Sequence, residues 1–359
     1  MQAPFVAGAS GKREAVPSHL RAAPPTPCPD IQPSQPSAFP IFIIRSNTNY
    51  TISWICAITT EFVATQAFLN ERHERPREVS QNDSNNYALG KLGDHNVVIA
   101  VLPNGEYGIA SAAVVAGDML HSFPNIRLGL MVGIGGGAPS QKHDIRLGDI
   151  VVSSPRNGKG GVFQYNFGKT IQNQTFLETG FLNQSPKVLR AAVSGLKAMY
   201  EADGHQLDDY VKMVIEKKPR LRKKYSRPHP SSNRLYKSDI VLTPDSEEGC
   251  IEPCRYDSTH LVPRRERDED EDSPTIHYGL IASANQLIKD ALIRDRLAAE
   301  KDVLCFKIEA AGLINHFPYL VIRGFAAMVA IAYAKDVLRQ IPPNKIEAKR
   351  RVVEVLGSS

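Results

Sequence analysis

Three segments of the sequence place residues capable of chemistry directly after apolar, strand-like runs. Glu61 and Glu309 each follow such a run, and the glycine cluster GIGGGAP at 133–139 follows another. A carboxylate at a strand end can act as a general base or bind ribose hydroxyls, and closely spaced glycines let backbone N–H groups approach an anion or a ribose. A structural interpretation stays open for each, because a carboxylate in a first helical turn complements the helix dipole and glycines form tight turns.

Other signatures of catalysis or binding are weak. The glycine cluster lacks both a following Gly-Lys-Ser/Thr and the Gly-x-Gly-x-x-Gly spacing of dinucleotide sites. Cys250 and Cys254 have no second cysteine pair, so we predict neither a metal site nor a cofactor. The basic run 217–227 carries only Tyr225 as an interleaved aromatic residue, which favours a solvated surface over nucleic-acid binding.

The composition indicates a globular protein of a reducing compartment. The 359 residues are 42% hydrophobic, and a net charge of +5 is too small at this length to mark a general polyanion binder. The five cysteines are odd in number and mostly isolated. The first residues lack the apolar core of a signal peptide, and no apolar run reaches the ~18 residues of a membrane helix. We therefore expect a cytoplasmic protein without a membrane partner.

Strand-like and helix-like segments alternate from residue 50 onward. The strand-like segments are 50–58, 96–102, 127–132, 149–153, 277–283, 303–308 and 319–323. Helical patterns follow at 61–69, 109–120, 287–300, 309–317 and after Gly324. This alternation predicts an α/β fold with a mostly parallel sheet covered on both faces.

The chain divides into regions of different composition. Residues 1–48 are rich in proline, serine, alanine and glutamine, and we predict that they are disordered. Residues 49–339 form the predicted folded domain, which carries a charged surface insertion at about 205–275. Residues 340–359 form a predicted charged tail, which begins where Pro342-Pro343 stops the last helix.

A set of motifs, taken in order, resembles the fungal branch of the nucleoside phosphorylase/nucleosidase superfamily, which often forms the N-terminal domain of fungal NACHT/ankyrin receptor-like proteins. The motifs extend over roughly residues 50–338 and read WICAITTEF, GEYGIASAA, LMVGIGGGAPS, DIRLGDIVVS, QYNFGK, HYGLIASANQLIKD, FKIEAAGLINHFPYLVIRG and AYAKDVL. The resemblance implies a three-layer α/β sandwich around a mixed, mostly parallel, partly barrel-like sheet. It also implies cleavage of the N-glycosidic bond of purine nucleosides by water or phosphate, in a homo-oligomer.

The resemblance also implies roles for individual residues. Glu61 matches the glutamate that positions the attacking water, and Glu309 with Ile308 matches the Met-Glu pair that binds ribose. The family has a glycine-rich turn beside the nucleophile, which is water or phosphate, and this turn matches Gly133, Gly135, Gly136 and Gly137. The base pocket of the family matches Ser283, Ala284 and Asn285. Lys307 stands where the family carries a glutamate, which weakens the expected ribose binding.

The general acid of the family is missing from this sequence. The family carries it as an aspartate on the loop after the last strand, whereas here Arg323-Gly324 leads at once into the helical pattern. Asp336 lies too far along that helix to substitute. Either the loop is truly absent, which gives an impaired or inert domain, or an exon was skipped in the gene model. The clean joint between two recognisable segments favours the second explanation.

The reaction stays open between hydrolysis and phosphorolysis. The strand before the glycine turn reads LGLMV and has no cation for phosphate, which favours a hydrolytic nucleosidase. A non-catalytic nucleoside sensor of the fungal NLR-like type is the alternative to an enzyme. Nucleic-acid binding through residues 217–227 is a weaker third hypothesis.

Overall fold

The computed structural model describes residues 43–173, 176–240, 258–268, 271, 274–324 and 326–357. All of them belong to one compact unit. Residues 1–42 of the predicted disordered segment lie outside the described residues. Cys250, Cys254 and Phe325 lie outside them as well. Within the described part of the chain, no helix combines the length and the apolar character needed to span a membrane.

Strands and helices alternate along the chain, and every strand predicted from the sequence is present. The strands are β1 (Ile52–Cys56), β2 (Glu71–His73), β3 (Tyr87–Leu92), β4 (His95–Val101), β5 (Leu128–Ile134), β6 (Gly136–Gly137), β7 (Ile150–Ser153), β8 (Val162–Gln164), β9 (Gly168–Lys169), β10 (Leu177–Glu178), β11 (Ile276–Ser283), β12 (Val303–Phe306) and β13 (Tyr319–Gly324). The helices are α1 (Thr59–Ala67), α2 (Ile109–Ser122), α3 (Lys187–Asp203), α4 (Leu207–Lys217), α5 (Arg222–Tyr225), α6 (Ala291–Lys301), α7 (Ala310–Ile314), α8 (Ala327–Arg339), α9 (Pro343–Glu347) and α10 (Val352–Leu356).

One mixed sheet organises the fold, with the strand order β2-β3-β4-β1-β5-β13-β7-β11-β12-β6 and with β8 paired to β11. Parallel pairing joins β4, β1, β5 and β13 into one group, and β7, β8, β11 and β12 into another. The two groups meet antiparallel at β13 and β7. Because β6 follows β5 almost directly and pairs with β12, the sheet curls back on itself. The predicted α/β fold with a mixed, mostly parallel, partly barrel-like sheet is confirmed.

Helices cover both faces of this sheet because side chains alternate along each strand. In β1, Ile52, Trp54 and Cys56 pack into one hydrophobic core, while Ile55 packs into a second core on the other face. The first core also receives buried residues of α1, α3, α4 and α8, and the second core receives those of α2, α7 and α10. The result is a three-layer sandwich of helix, sheet and helix.

Two regions differ from the sequence-based expectation. The predicted surface insertion at 205–275 begins with α4, which buries Leu207, Val211 and Ile215 in the first core. The predicted charged tail contains α9 and α10, which bury Ile346 and Val352. In α4 the apolar residues recur every four positions and form one buried stripe, while the charged residues between them stay exposed. The prediction of a surface insertion relied on charge content and overlooked this apolar stripe.

Candidate functional site

Glu61 lies just past the end of β1, in the first turn of α1, and is completely buried. The Ala57 N–H donates to Oε2 of Glu61 at 2.6 Å, and the Ile134 N–H donates to Oε1 at 2.7 Å. The two donors come from the ends of neighbouring parallel strands, β1 and β5. A carboxylate held by two backbone donors is fixed in position and still has lone pairs for further partners.

The glycine cluster after β5 serves two purposes. A side chain at Gly133 would place its Cβ 2.0 Å from Cδ of Glu61, and one at Gly135 would lie 2.5 Å from Sγ of Cys305. Both positions therefore require glycine for close packing. The Cβ side of Gly136 is open space, and Gly136 and Gly137 form part of a cavity wall. The first two glycines make room for the carboxylate and the core, and the last two leave the cavity wall bare.

Lys307 and Glu309 follow β12 and reach the same buried region. Lys307 Nζ lies 3.0 Å from Oε2 of Glu309 and 3.7 Å from Oε1 of Glu61, so one ammonium faces both carboxylates. The closer contact is an ion pair rather than an aligned hydrogen bond, because Oε2 of Glu309 makes no hydrogen bond within the described residues. This oxygen therefore retains its capacity to accept from a ligand.

Arg323 is a buried cation that sequence reasoning missed. It lies on β13 directly beside Gly133 of β5, is 1% exposed, and places Nη1 3.8 Å from Oε1 of Glu61. Its Nε, Nη1 and Nη2 atoms make no hydrogen bond to any described part of the chain. Buried polar groups are normally paired, so the donors of Arg323 stand out as free for a bound molecule. The signal in the sequence was a charged residue ending an apolar strand.

Ser283 braces the turn that carries Glu309. Its hydroxyl donates to the Ile308 carbonyl at 3.1 Å and accepts from the Ala311 N–H at 3.0 Å. Asn285 accepts from the Ile109 N–H, at the start of α2, at 3.0 Å. The hydrogen bonds made by Ser283 and Asn285 are thus used within the fold, and their place in a base pocket remains a prediction.

A cavity opens beside Lys307, and Lys307, Ile308 and the predicted base-pocket residue Ala284 line it, whereas Glu61, Glu309 and Arg323 are not part of its wall. Tyr165 and Phe306 form an aromatic wall in which the rings meet edge to face, with centroids 6.0 Å apart. The wall also includes residues 286–291, which connect β11 to α6. An apolar, aromatic wall next to buried charges suits a ligand with a flat ring joined to a polar group. The sequence analysis did not identify Tyr165 or Phe306.

The connection from β13 to α8 carries no described polar group toward this cavity. The strand ends at Gly324 and the helix begins at Ala327. Asp336, farther along α8, accepts from the Tyr200 hydroxyl at 2.8 Å and pairs with Arg339. Asp290 is a carboxylate that does line the cavity. It caps α6, because its Oδ1 accepts from two backbone N–H groups of that helix.

Two cysteines near Glu61 are unsuited to act as nucleophiles. Burial raises the pKa of Cys305 to about 12, although the charges of Arg323 and Lys307 act in the opposite direction. Burial, reinforced by the negative charge of Glu61, also raises the pKa of Cys56. Both thiols stay protonated at neutral pH, and the thiolate is the reactive form. Among the residues that the structure describes, no cluster of His, Cys, Asp or Glu could hold a metal ion.

Comparison with known proteins yields one relative of related sequence. No protein-family model matches the chain. A nucleotide-binding leucine-rich repeat (NLR)-like protein of Hyaloscypha variabilis is 40% identical over 318 residues, which is 84% of this chain. The chain spans only 30% of the length of that protein.

The chain is also similar to solved structures at low sequence identity. A 5'-methylthioadenosine/S-adenosylhomocysteine nucleosidase of Neisseria meningitidis is 12% identical, with a TM-score of 0.48, and the match covers 81% of this chain and 99% of that one. Futalosine hydrolase of Helicobacter pylori is 13% identical, with a TM-score of 0.47, and the match covers 82% of this chain and 100% of that one.

Proposed function

We propose that this chain binds a purine nucleoside in the cavity and hydrolyses its N-glycosidic bond. Glu61 positions the attacking water, and Glu309 holds the ribose hydroxyls. The observation that carries the proposal is the fixed Glu61 carboxylate with unused hydrogen-bonding groups of Glu309 and Arg323 around it. The motifs that resemble nucleosidases supply the substrate class.

The geometry supports a simple hydrolytic step. Oε1 of Glu61 and Nη1 of Arg323 lie 3.8 Å apart, so one water oxygen can contact both. The water oxygen bonds to C1′ of ribose as the C1′–N bond breaks, its proton passes to Glu61, and the bonding electron pair leaves with the base. The carboxylates stabilise the positive charge that develops on ribose. The base lies against Tyr165 and Phe306.

The departing base receives no proton from the β13–α8 connection, which has no described acid. We propose that the base leaves as an anion or takes a proton from solvent. A general acid typically contributes ~10²- to 10⁴-fold to the rate, so we propose slow hydrolysis.

Charge balance favours water over phosphate as the nucleophile. The strand before the glycine turn has no cation for phosphate, and Arg323 is a cation that could replace it. However, Arg323 and Lys307 already face the Glu61 carboxylate. A phosphate placed between them would meet that carboxylate at short range, where like charges repel.

The experiment is incubation of the purified protein with adenosine, inosine, guanosine or methylthioadenosine, with and without phosphate, followed by chromatography of the free base. We expect base release that phosphate does not increase and that Glu61→Gln and Glu309→Ala abolish. Asp209→Asn changes an exposed carboxylate of α4 that is not part of the cavity wall, and it should leave release unchanged. No release above the Glu309→Ala background would end the enzymatic proposal for this chain.

A second candidate is a nucleoside-sensing module that binds without turnover. The direct β13–α8 connection and the similarity to an NLR-like protein favour it. It predicts that a purine nucleoside raises the melting temperature although no base is released. If no nucleoside shifts the melting temperature, sensing is excluded. A cytoplasmic location and a homo-oligomeric state remain proposals, which cell fractionation and light scattering would test.

A further inference from the structure

We infer that Lys307 is an internal cation that selects neutral nucleosides and opposes the positively charged ribose of the cleavage step. The inference rests on the proposed function, since it concerns the same site. It assigns to Lys307 a specificity-determining role.

The position of the Lys307 ammonium carries the inference. Nζ is 3.0 Å from Oε2 of Glu309 and 3.7 Å from Oε1 of Glu61, while the side chain is only 11% exposed. Oε2 of Glu309 is buried and has no hydrogen bond within the described residues, so its only described partner is this ammonium. Lys307 therefore stands where the two carboxylates would otherwise face a ligand together.

The balance of charge explains the consequence for ligands. Glu61 and Glu309 are opposed by Lys307 and Arg323, so the formal charges of these four side chains cancel. Among the described ion pairs, Arg323 faces only Glu61, whereas Lys307 faces both carboxylates. A cationic ribose held by the same oxygens must come within a few ångströms of Nζ, where like charges repel strongly. Neutral ribose hydroxyls escape this repulsion, since they can accept from the ammonium and donate to Glu309.

Two ligands that differ in charge but are similar in shape test the role of Lys307. One is adenosine, and the other is an adenosine analogue whose ribose ring oxygen is replaced by a protonated nitrogen. Titration calorimetry at pH 7 would measure both with the wild type, Lys307→Gln, Lys307→Arg and Lys212→Gln. Lys212 lies on α4, is exposed, pairs with Asp209 and is not part of the cavity wall, so its variant is a control for the same lysine-to-glutamine change outside the site.

We expect the wild type to bind the cationic analogue no more tightly than adenosine. Lys307→Gln should gain about tenfold or more in affinity for the cationic analogue, with little change for adenosine, because a charge has been removed at close range. Lys307→Arg keeps the charge and should behave as the wild type, and so should Lys212→Gln.

Three results would overturn the inference. Equal gains for both probes would mean that Lys307 only fills space. An unchanged ratio in Lys307→Gln would remove its electrostatic role. A wild type that binds the cationic analogue about a hundredfold more tightly than adenosine would contradict the inference even if Lys307→Gln does not fold. Absence of binding to either probe in every protein would instead overturn the proposed nucleoside site, and with it this role.

Discussion

Two buried charge clusters in this molecule differ in how completely their hydrogen-bonding groups are used. In the Asp149 cluster, the carboxylate accepts from the guanidinium of Arg267, from the ring of His277 and from two backbone N–H groups. In the Glu61 cluster, which comprises Glu61, Lys307, Glu309 and Arg323, several buried polar atoms make no described hydrogen bond.

The arginine of each cluster shows the difference most clearly. Arg267 donates through both terminal nitrogens to the Asp149 carboxylate and gives a planar, two-bonded ion pair. Arg323 is more deeply buried, yet its guanidinium makes no hydrogen bond to the described residues and approaches Glu61 only to 3.8 Å. Burial alone therefore does not distinguish the two clusters, whereas the number of unused donors and acceptors does. A buried polar group without a partner costs about 1–3 kcal/mol, and several such groups together are typical of a functional site.

The largest effect is expected from Glu61→Ala, which removes the anion between Arg323 and Lys307. The substitution leaves two buried cations without this partner and strands the N–H groups of Ala57 and Ile134. Breaking a buried ion pair in this way costs about 3–5 kcal/mol, which urea unfolding monitored by circular dichroism would measure.

The matched control is Asp209→Ala, which removes an exposed ion pair with Lys212. Exposed pairs contribute little because water and salt screen them. A similarly small loss in Glu61→Ala would mean that the Glu61 cluster is not held together by its charges.

A smaller effect is expected from Gly133→Ala, because the new Cβ would lie 2.0 Å from Cδ of Glu61. Overpacking of this kind typically costs about 1–3 kcal/mol, and here it must also displace the carboxylate. Gly136→Ala is the paired control, since the space on its Cβ side is open. Thermal unfolding of both variants measures the difference. Equal stability would show that the glycine turn is not shaped around Glu61.

The fold could be predicted to a large extent because its central strands are continuous apolar runs. Strands β2 and β3 were missed, since ERH and YALGKL carry charges or glycine and have no such run. Helix α3 was missed although Leu189, Val193, Leu196 and Tyr200 recur at helical spacing and are buried. The sequence therefore contains the pattern that predicts helix α3, whereas it contains no pattern that predicts the short strands β2 and β3.

The candidate site was predictable only in part. Glu61 and Glu309 were identified from their positions after strands, and the structure brings both to the Lys307 ammonium. The part played by Arg323 could not be read from the sequence, because it depends on the pairing of β13 with β5, which sets Arg323 beside Gly133. Such a contact joins residues about 190 positions apart in the sequence, and local patterns carry no information on it.

The smallest effect concerns the pH dependence of the Asp149 cluster. Burial by itself would raise the pKa of Asp149, but hydrogen bonds from Arg267 and His277 outweigh it and lower the pKa from 3.8 to about 2. Because the folded-state pKa is depressed, the stabilisation is fully present above about pH 4 and is lost as the pH falls toward 2. The shift corresponds to about 2 kcal/mol at 1.36 kcal/mol per pKa unit.

The measurement is the free energy of unfolding in urea from pH 5 to pH 2 for the wild type and for Asp149→Asn. Other carboxylates titrate in the same range, so the informative quantity is the difference between the two proteins at each pH. We expect Asp149→Asn to be less stable than the wild type at pH 5 and the difference to shrink by about 2 kcal/mol as Asp149 becomes protonated. A difference that stays constant with pH would show that the Asp149 carboxylate is not held by its ionic partners. The Asp149 cluster could then no longer serve as the fully hydrogen-bonded cluster with which the Glu61 cluster is compared.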